Sequence, residues 1–338
     1  MSEHSTELLP WLSPTFEQLA SVAGKGKLAH AYLLGGQEGL GKLELARHFG
    51  HYLLCNAPVA NQACGQCREC QLLLAGTHPD LKMIQPEESA GIRIDQIRGT
   101  IDFAVQTSQR GGYKVVIINP AESMNINSAN ALLKVLEEPS ANTLLLLVSH
   151  RPALLMATIR SRCHLIKFNR PHERDVIPWL ESKNIRASAR ELLRMAGNVP
   201  LRALHYADED ALHDRNVLHR IMLLLLQGKL NIADAAAECE KFSLEENLES
   251  MLLCASDILA YNQGASTSVT LNDHDLQQLS VFFQMPTTIK ALHSFYDEVL
   301  AARRASRSRA NPNAQLLLES LFHHWAGTGR SSRRVEQA

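Results

Sequence analysis

Apolar and polar positions change rhythm about half-way along the chain. In the first half, short apolar runs alternate with helical patterns. Strands are predicted at Leu28–Leu34, Leu81–Gln85, Val115–Asn119, Thr143–Ser149 and His164–Phe168. Between them, helices are predicted at Lys42–Leu54, Asp95–Thr107 and Asn127–Glu138, the last two each opened by an N-capping side chain. Such alternation predicts an α/β domain with a parallel sheet flanked by helices. After Phe168 no strand pattern is convincing. Asp175–Leu180, Ala187–Met195 and Leu201–Tyr206 read as short helices. From Glu209 onward, Leu-rich segments such as Val217–Gln227, Leu244–Tyr261 and Leu292–Ala302 repeat apolar residues at helical spacing, with Asn262–Thr270 as a Gly/Ser/Thr loop between helices.

The turn after the first strand carries chemistry. Gly36-Gln37-Glu38-Gly39-Leu40-Gly41-Lys42 fits G-x-x-x-x-G-K, but Leu43 stands where a phosphate-binding loop has Ser or Thr. Gly36, Gly39 and Gly41 let backbone N–H groups turn inward on a phosphate, and Lys42 reaches its terminal oxygens. The missing hydroxyl would have held Mg²⁺, and leucine cannot ligate a hard cation. A second loss falls on the same metal. Strand Val115-Val116-Ile117-Ile118 runs into Asn119-Pro120-Ala121-Glu122, where P-loop ATPases place an acid that supports Mg²⁺. Asn119 gives one neutral carbonyl, Pro120 gives neither base nor donor, and Glu122 lies three residues beyond the strand. The pattern predicts a P-loop protein without hydrolysis of its own. Binding of ATP or ADP at the loop stays open, since a phosphate contact needs only the cradle.

Four of the seven cysteines, Cys55, Cys64, Cys67 and Cys70, form C-x8-C-x2-C-x2-C. Thiolates two residues apart can share a tetrahedral ion, and Zn²⁺ is the usual occupant of a closed four-sulfur site, with an iron–sulfur cluster as the open alternative. The expectation is a structural zinc module at about residues 55–70, inserted behind the helix that follows the loop. His48, His51 and His78 lie close in sequence as rival ligands, but four cysteines complete the shell. Cys163, Cys239 and Cys254 are scattered, and packing is the default for them.

Composition narrows the partners. The 338 residues are 45% hydrophobic and 20% charged, enough for a sizeable core in two or three domains. Net charge is −1, from 34 Lys and Arg against 35 Asp and Glu, so no global field draws the chain onto nucleic acid. The densest basic cluster, Arg303, Arg304, Arg307 and Arg309, and the group Arg330, Arg333 and Arg334, read as solvated face and tail. The first residues hold Glu3 and Glu7 and no apolar leader, and the longest aliphatic runs, Leu144–Val148 and Ile221–Leu226, fall far below a membrane span. A cytoplasmic location without membrane contact is expected. No carboxylate set resembles a two-metal nucleotidyl-transfer site, so polymerase chemistry is not expected of this chain alone.

These residues together resemble a known family. The loop, the four cysteines, Gly76-Thr77-His78-Pro79-Asp80, the run Asn130-Ala131-Leu132-Leu133-Lys134-Val135-Leu136-Glu137-Glu138-Pro139 and Ser161-Arg162-Cys163 occur in this order in bacterial clamp-loader proteins of the AAA+ class. The resemblance covers about Trp11 to Trp179, with a weaker echo in Asn313-Ala314-Gln315-Leu316-Leu317-Leu318-Glu319. It implies three parts: an AAA+ domain at 1–168, a small helical lid at 169–208 and an all-α collar at 209–338 that joins subunits. It also implies a hetero-pentameric ring with motor subunits of gamma/tau type and a delta subunit, which meets the sliding clamp and primed DNA through the complex. Such a chain would be a subunit of a polymerase holoenzyme. By the same resemblance, Arg162 is an arginine finger that reaches ATP held by the neighbour, in trans. The lid arginine of the family falls near Gly197-Asn198-Val199-Pro200, where Pro200 stands and Arg202 lies two positions on. Three alternatives remain in view: a working ATPase of the same fold, a zinc-dependent DNA-binding protein, and a purely structural scaffold in which Arg162 is idle.

Overall fold

The computed structural model describes residues 8–87, 91–183, 185, 187–264, 271, 273–306 and 313–328. Glu3, Glu7, Arg307, Arg309, Arg330, Arg333, Arg334 and the predicted loop from 265 to 270 lie outside the described residues. The chain divides into two compact units, Met1–Trp179 and Leu180–Ala338.

The first unit is built on five strands: β1 (Ala31–Gly35), β2 (Leu81–Ile84), β3 (Lys114–Ile118), β4 (Thr143–Ser149) and β5 (His164–Lys167). They pair in parallel in the spatial order β2, β3, β4, β1, β5. Every residue of β1, β3 and β4 is buried, as a parallel sheet covered on both faces requires. On one face, Leu33, Val116, Ile118, Leu145 and Leu147 share a core with Ile97 of α4 (Ile94–Val105) and Leu132 and Leu136 of α5 (Ile126–Glu137). On the other lies α2 (Lys42–Leu54), where a side chain on Gly50 would come within 3.3 Å of Val115 Cγ1. Helix α1 (Ser13–Gly24) packs on α2 through Phe16, whose ring meets Phe49 and Tyr52 at centroid distances of 6.2 and 5.6 Å. Helix α3 (Arg68–Leu74) belongs to the cysteine insertion, and α6 (Ala157–Arg160) is a single turn before β5.

Three local expectations shift. Helix α5 begins at Ile126 and is capped by Asn125, whose side chain accepts from Ser128 N at 2.8 Å, rather than opening at Asn127. Asp95 caps nothing: α4 starts one residue earlier, and its first turn is closed by Gln96, whose Oε1 accepts from Arg93 N at 2.8 Å. Strand β1 starts at Ala31, because the turn that ends α1 occupies Lys25 to Lys27 and Ala29 N donates to the Tyr32 hydroxyl at 3.2 Å.

Helix α7 (Glu173–Glu181) straddles the division, and the second unit is all-helical among its described residues. A short pair, α8 (Ala189–Met195) and α9 (Pro200–His205), precedes six helices: α10 (Glu209–Gln227), α11 (Ile232–Cys239), α12 (Leu244–Asn262), α13 (Asp273–Ser280), α14 (Pro286–Ser306) and α15 (Ala314–Thr328). They close on one core around Trp325, whose ring meets Phe295 at 4.9 Å and Phe283 at 5.4 Å. Its indole N–H donates to Met222 O at 2.8 Å, which satisfies the one polar atom this large side chain brings inside. Among the described residues no helix is long and apolar enough to cross a membrane.

Candidate functional site

Strand β1 delivers the chain into the glycine loop at the carboxyl edge of the sheet, where ligands of open α/β sheets bind. Gly39 and Gly41 hold φ of +82° and +90°, backbone that favours glycine, and a side chain on Gly36 would meet Phe168 O at 2.6 Å. The loop is braced from the N-terminal side. A Cβ on Gly41 would come within 2.6 Å of Leu9 Cδ1 and 3.0 Å of Leu12 Cδ1, and the Trp11 indole donates to Leu40 O at 2.9 Å. Trp11 in turn packs edge-on against Trp179 at 5.0 Å. Lys42 is 2% exposed and its Nζ donates to Gln37 O at 2.6 Å, inside its own loop. Burial lowers its pKa from 10.5 to about 8, against the pull of Glu122, Glu38 and Glu44.

The magnesium side does not fit. Leu43 is half-buried on the first turn of α2. Glu122, the nearest acid, is committed elsewhere: its Oε1 accepts from His150 N at 2.9 Å and Arg151 N at 3.2 Å, pinning the exit of β4. Its Oε2 and the Asn119 Oδ1 are buried with no hydrogen-bond partner. Neither the hydroxyl next to the loop lysine nor the acid at the strand end, the two protein ligands Mg²⁺ takes in P-loop ATPases, is present: Leu43 and Asn119 stand in their places.

The four cysteines do come together. Their sulfurs lie within 4.8 Å of one another, with Cys55 to Cys67 and Cys64 to Cys70 each 3.9 Å apart. A tetrahedron of sulfurs about 2.3 Å from a zinc ion has edges of about 3.8 Å, so the set fits the ion. Backbone N–H groups already face the sulfurs: Cys64 N to Cys55 Sγ at 3.2 Å and Cys67 N to Cys64 Sγ at 3.3 Å. Burial opposes ionisation of Cys67, but N–H donors from Cys70 and Asn56 outweigh it and bring its pKa to about 6.

A buried network ties this insertion to the sheet and explains the Gly76-Thr77-His78-Pro79-Asp80 motif. Glu69, between the last two cysteines, turns inward and is 2% exposed. Arg110 grips it, Nε to both carboxylate oxygens at 3.1 and 3.0 Å and Nη2 to Oε1 at 2.6 Å, and this holds the Glu69 carboxyl below its usual range. His78 Nε2 adds a 3.1 Å contact, while its Nδ1 accepts from Asp80 N. Asp80 accepts from Ser108 Oγ, Gln109 N and Arg110 N, each at 2.9 Å. His78 is therefore an anchor, not a ligand.

Ser161-Arg162-Cys163 divides its labour. Ser161 Oγ donates to Thr158 O at 3.1 Å and closes the α6 turn. Cys163 packs into the sheet core, where burial raises its thiol pKa to about 12. Between them Arg162 stands half-exposed, Nη1 donating to Thr158 O at 3.0 Å and Nη2 2.7 Å from Glu137 Oε1. The register places it far from the loop. In the parallel pairing Tyr32 faces His164 and Gly35 faces Lys167, so Arg162, two residues before that pairing, lies at the amino edge while Gly36 opens the carboxyl edge. At about 3.3 Å per residue the two edges are roughly 15 Å apart.

Comparison with known proteins follows this geometry. A family described as "DNA polymerase III, delta subunit" matches residues 11–172, and its C-terminal counterpart matches 209–327. The DNA polymerase III subunit delta′ of Pseudomonas aeruginosa is 37% identical over 324 residues, covering 95% of this chain and 98% of that protein. The chain belongs to the DNA polymerase III delta′ family. The delta′ subunit of Yersinia pestis is 32% identical over 337 residues, covering 94% of each chain. Among solved structures, a DNA polymerase III gamma subunit-related protein of Thermotoga maritima is 22% identical, covers 93% of this chain and 99% of that one, and has a TM-score of 0.48. The parallel five-stranded sheet, the four-cysteine cluster and the helical C-terminal region agree with the α/β domain, cysteine module and helical second half expected from the sequence.

Seen as a delta′ chain, the second unit answers one question left by the sequence. Arg202 does not stand free to sense a phosphate: its Nη1 lies 2.8 Å from Glu249 Oε1, and Arg303 Nη2 takes the other oxygen of the same carboxylate. Helices α9, α12 and α14 are joined there by one acid between two arginines. Neither Glu249 nor Glu137 stands out in the sequence, since each acquires its arginine only through folding.

Proposed function

We propose that this delta′ chain is a clamp-loader subunit that does not hydrolyse ATP itself and lends Arg162 to ATP bound by a neighbouring motor subunit of gamma/tau type. The observation that carries this reading is the separation of Arg162 from Lys42 across the sheet. An arginine side chain cannot span roughly 15 Å, so a phosphate it serves belongs to another chain. Leu43, Asn119 and the committed Glu122 support the other half, a loop without magnesium chemistry. Lys42, engaged by Gln37 O, keeps the loop folded whether or not a phosphate or nucleotide reaches it.

In this reading residues 169–208, with α8 and α9, are the lid, and 209–338, with α10 to α15, are the collar that holds a hetero-pentameric ring with motor and delta subunits, and the ring loads the sliding clamp onto primed DNA in the cytoplasm. Zinc, held by Cys55, Cys64, Cys67 and Cys70, supplies a cross-link within the insertion and no catalysis. The guanidinium of Arg162 stabilises the negative charge that develops on the transferring phosphoryl group. Measuring ATP turnover by the purified chain, and then by motor and delta subunits with and without it, tests the reading. The chain alone should be silent and should raise turnover in the mixture. Turnover by the chain alone makes it a motor and ends this assignment.

A further inference from the structure

Two signature stretches, the helix ending Glu137-Glu138-Pro139 and the triplet Ser161-Arg162-Cys163, lie apart in sequence and meet in the fold at one ion pair. Helix α5 runs back toward the amino edge of the sheet and ends there with Glu137. The α6 turn brings Arg162 to the same edge. We propose that Glu137 is a positioning residue: it holds the Arg162 guanidinium in the orientation from which it meets the nucleoside triphosphate of a neighbouring chain. This inference rests on the reading of Arg162 as a finger in trans.

A guanidinium carries five N–H donors in a rigid plane. Thr158 O takes one from Nη1 and Glu137 Oε1 one from Nη2, which fixes the plane at two points and leaves three donors for an incoming phosphate. With Glu137 removed, a single bond to Thr158 O remains, and the long side chain regains its rotamers. The oriented charge would then be assembled anew at each turnover, a cost that falls on the transition state. Stability gives the pair little reason to exist. Its side chains are 36% and 50% exposed, and ion pairs so exposed add little to a fold. The pair as a whole is neutral, so what Arg162 offers the phosphate is its remaining N–H donors, on the guanidinium side of the pair.

In the step assisted, a water oxygen bonds to the γ-phosphorus as the bond to the β–γ bridging oxygen breaks. ADP leaves with that electron pair, and inorganic phosphate and a proton are released. Arg162 forms no bond in this exchange, and Glu137 acts on it only through Arg162.

The test is a cycle in the reconstituted clamp-loader complex, comparing wild type, Glu137→Ala, Glu137→Gln, Arg162→Ala and the double variant Glu137→Ala/Arg162→Ala at saturating and limiting ATP. Glu137→Ala should lower kcat roughly tenfold to a hundredfold with KM for ATP unchanged, the loss expected of a misaligned group. Glu137→Gln, which keeps an oxygen acceptor, should restore most of it. The double variant should be no slower than Arg162→Ala, as expected of residues that act as a unit. Thermal unfolding of the Glu137→Ala chain should match wild type, and a lowered midpoint would make the residue structural. Wild-type or faster turnover by Glu137→Ala beside a slow Arg162→Ala overturns the proposal, as does an additive double variant. Normal turnover by Arg162→Ala removes the finger reading itself, and Glu137 with it.

Discussion

Lys42 carries an ammonium into an almost fully buried position and spends it on its own loop. Burial is the largest influence on it and lowers its pKa from 10.5 to about 8. Between those values the unfolded chain binds more protons than the folded one, so this residue makes stability rise with pH across that window, and its cost is fully present below about pH 8. Lys42→Met should flatten the rise: urea midpoints of wild type and variant should converge from about pH 8 toward 10.5. A variant whose midpoints run parallel to wild type over that range would mean that Lys42 is hydrated and its loop open. The neighbouring Leu43 was legible at once, because one missing hydroxyl in a fixed motif has a definite chemical meaning. The direction in which Lys42 points was not legible, since Gln37 O lies on the same short loop and only its fold decides which carbonyl faces inward.

At the scale of elements, the cysteine insertion makes the clearest prediction. Cys67→Ser should lower bound zinc well below one ion per chain while far-ultraviolet circular dichroism of the sheet and helices is kept, because the sheet's core stands without it. A full equivalent of zinc in that variant would break the four-cysteine assignment. The clustering of the four cysteines was readable from spacing because all four residues fall within one short segment. Its anchor was not: Glu69 and Arg110 are 41 residues apart and meet only because the segment before β3 returns to the insertion. The same limit applies to Glu137 and Arg162. The five strands were legible as buried apolar runs, whereas helix α1 was not predicted, and the caps of α4 and α5 moved by one or two residues because Gln96 and Asn125 close those first turns. Near a helix start several polar side chains compete for the same N–H groups, and sequence alone does not rank them.

Over the whole molecule, each unit carries its own core, and the second depends on Trp325. Trp325→Ala should cost roughly 3–5 kcal/mol by leaving a cavity among Phe283, Phe295 and Met222. Denaturant unfolding checks it, with a loss below about 1 kcal/mol counting against a single core in the second unit. The central claim, however, concerns what the chain gives to a neighbour. It is tested most directly by ATP turnover in the reconstituted complex carrying Arg162→Ala, with assembly verified by gel filtration. The account predicts an intact complex whose turnover falls by about three to five orders of magnitude, the range for fingers supplied in trans. An intact complex with undiminished turnover would contradict it.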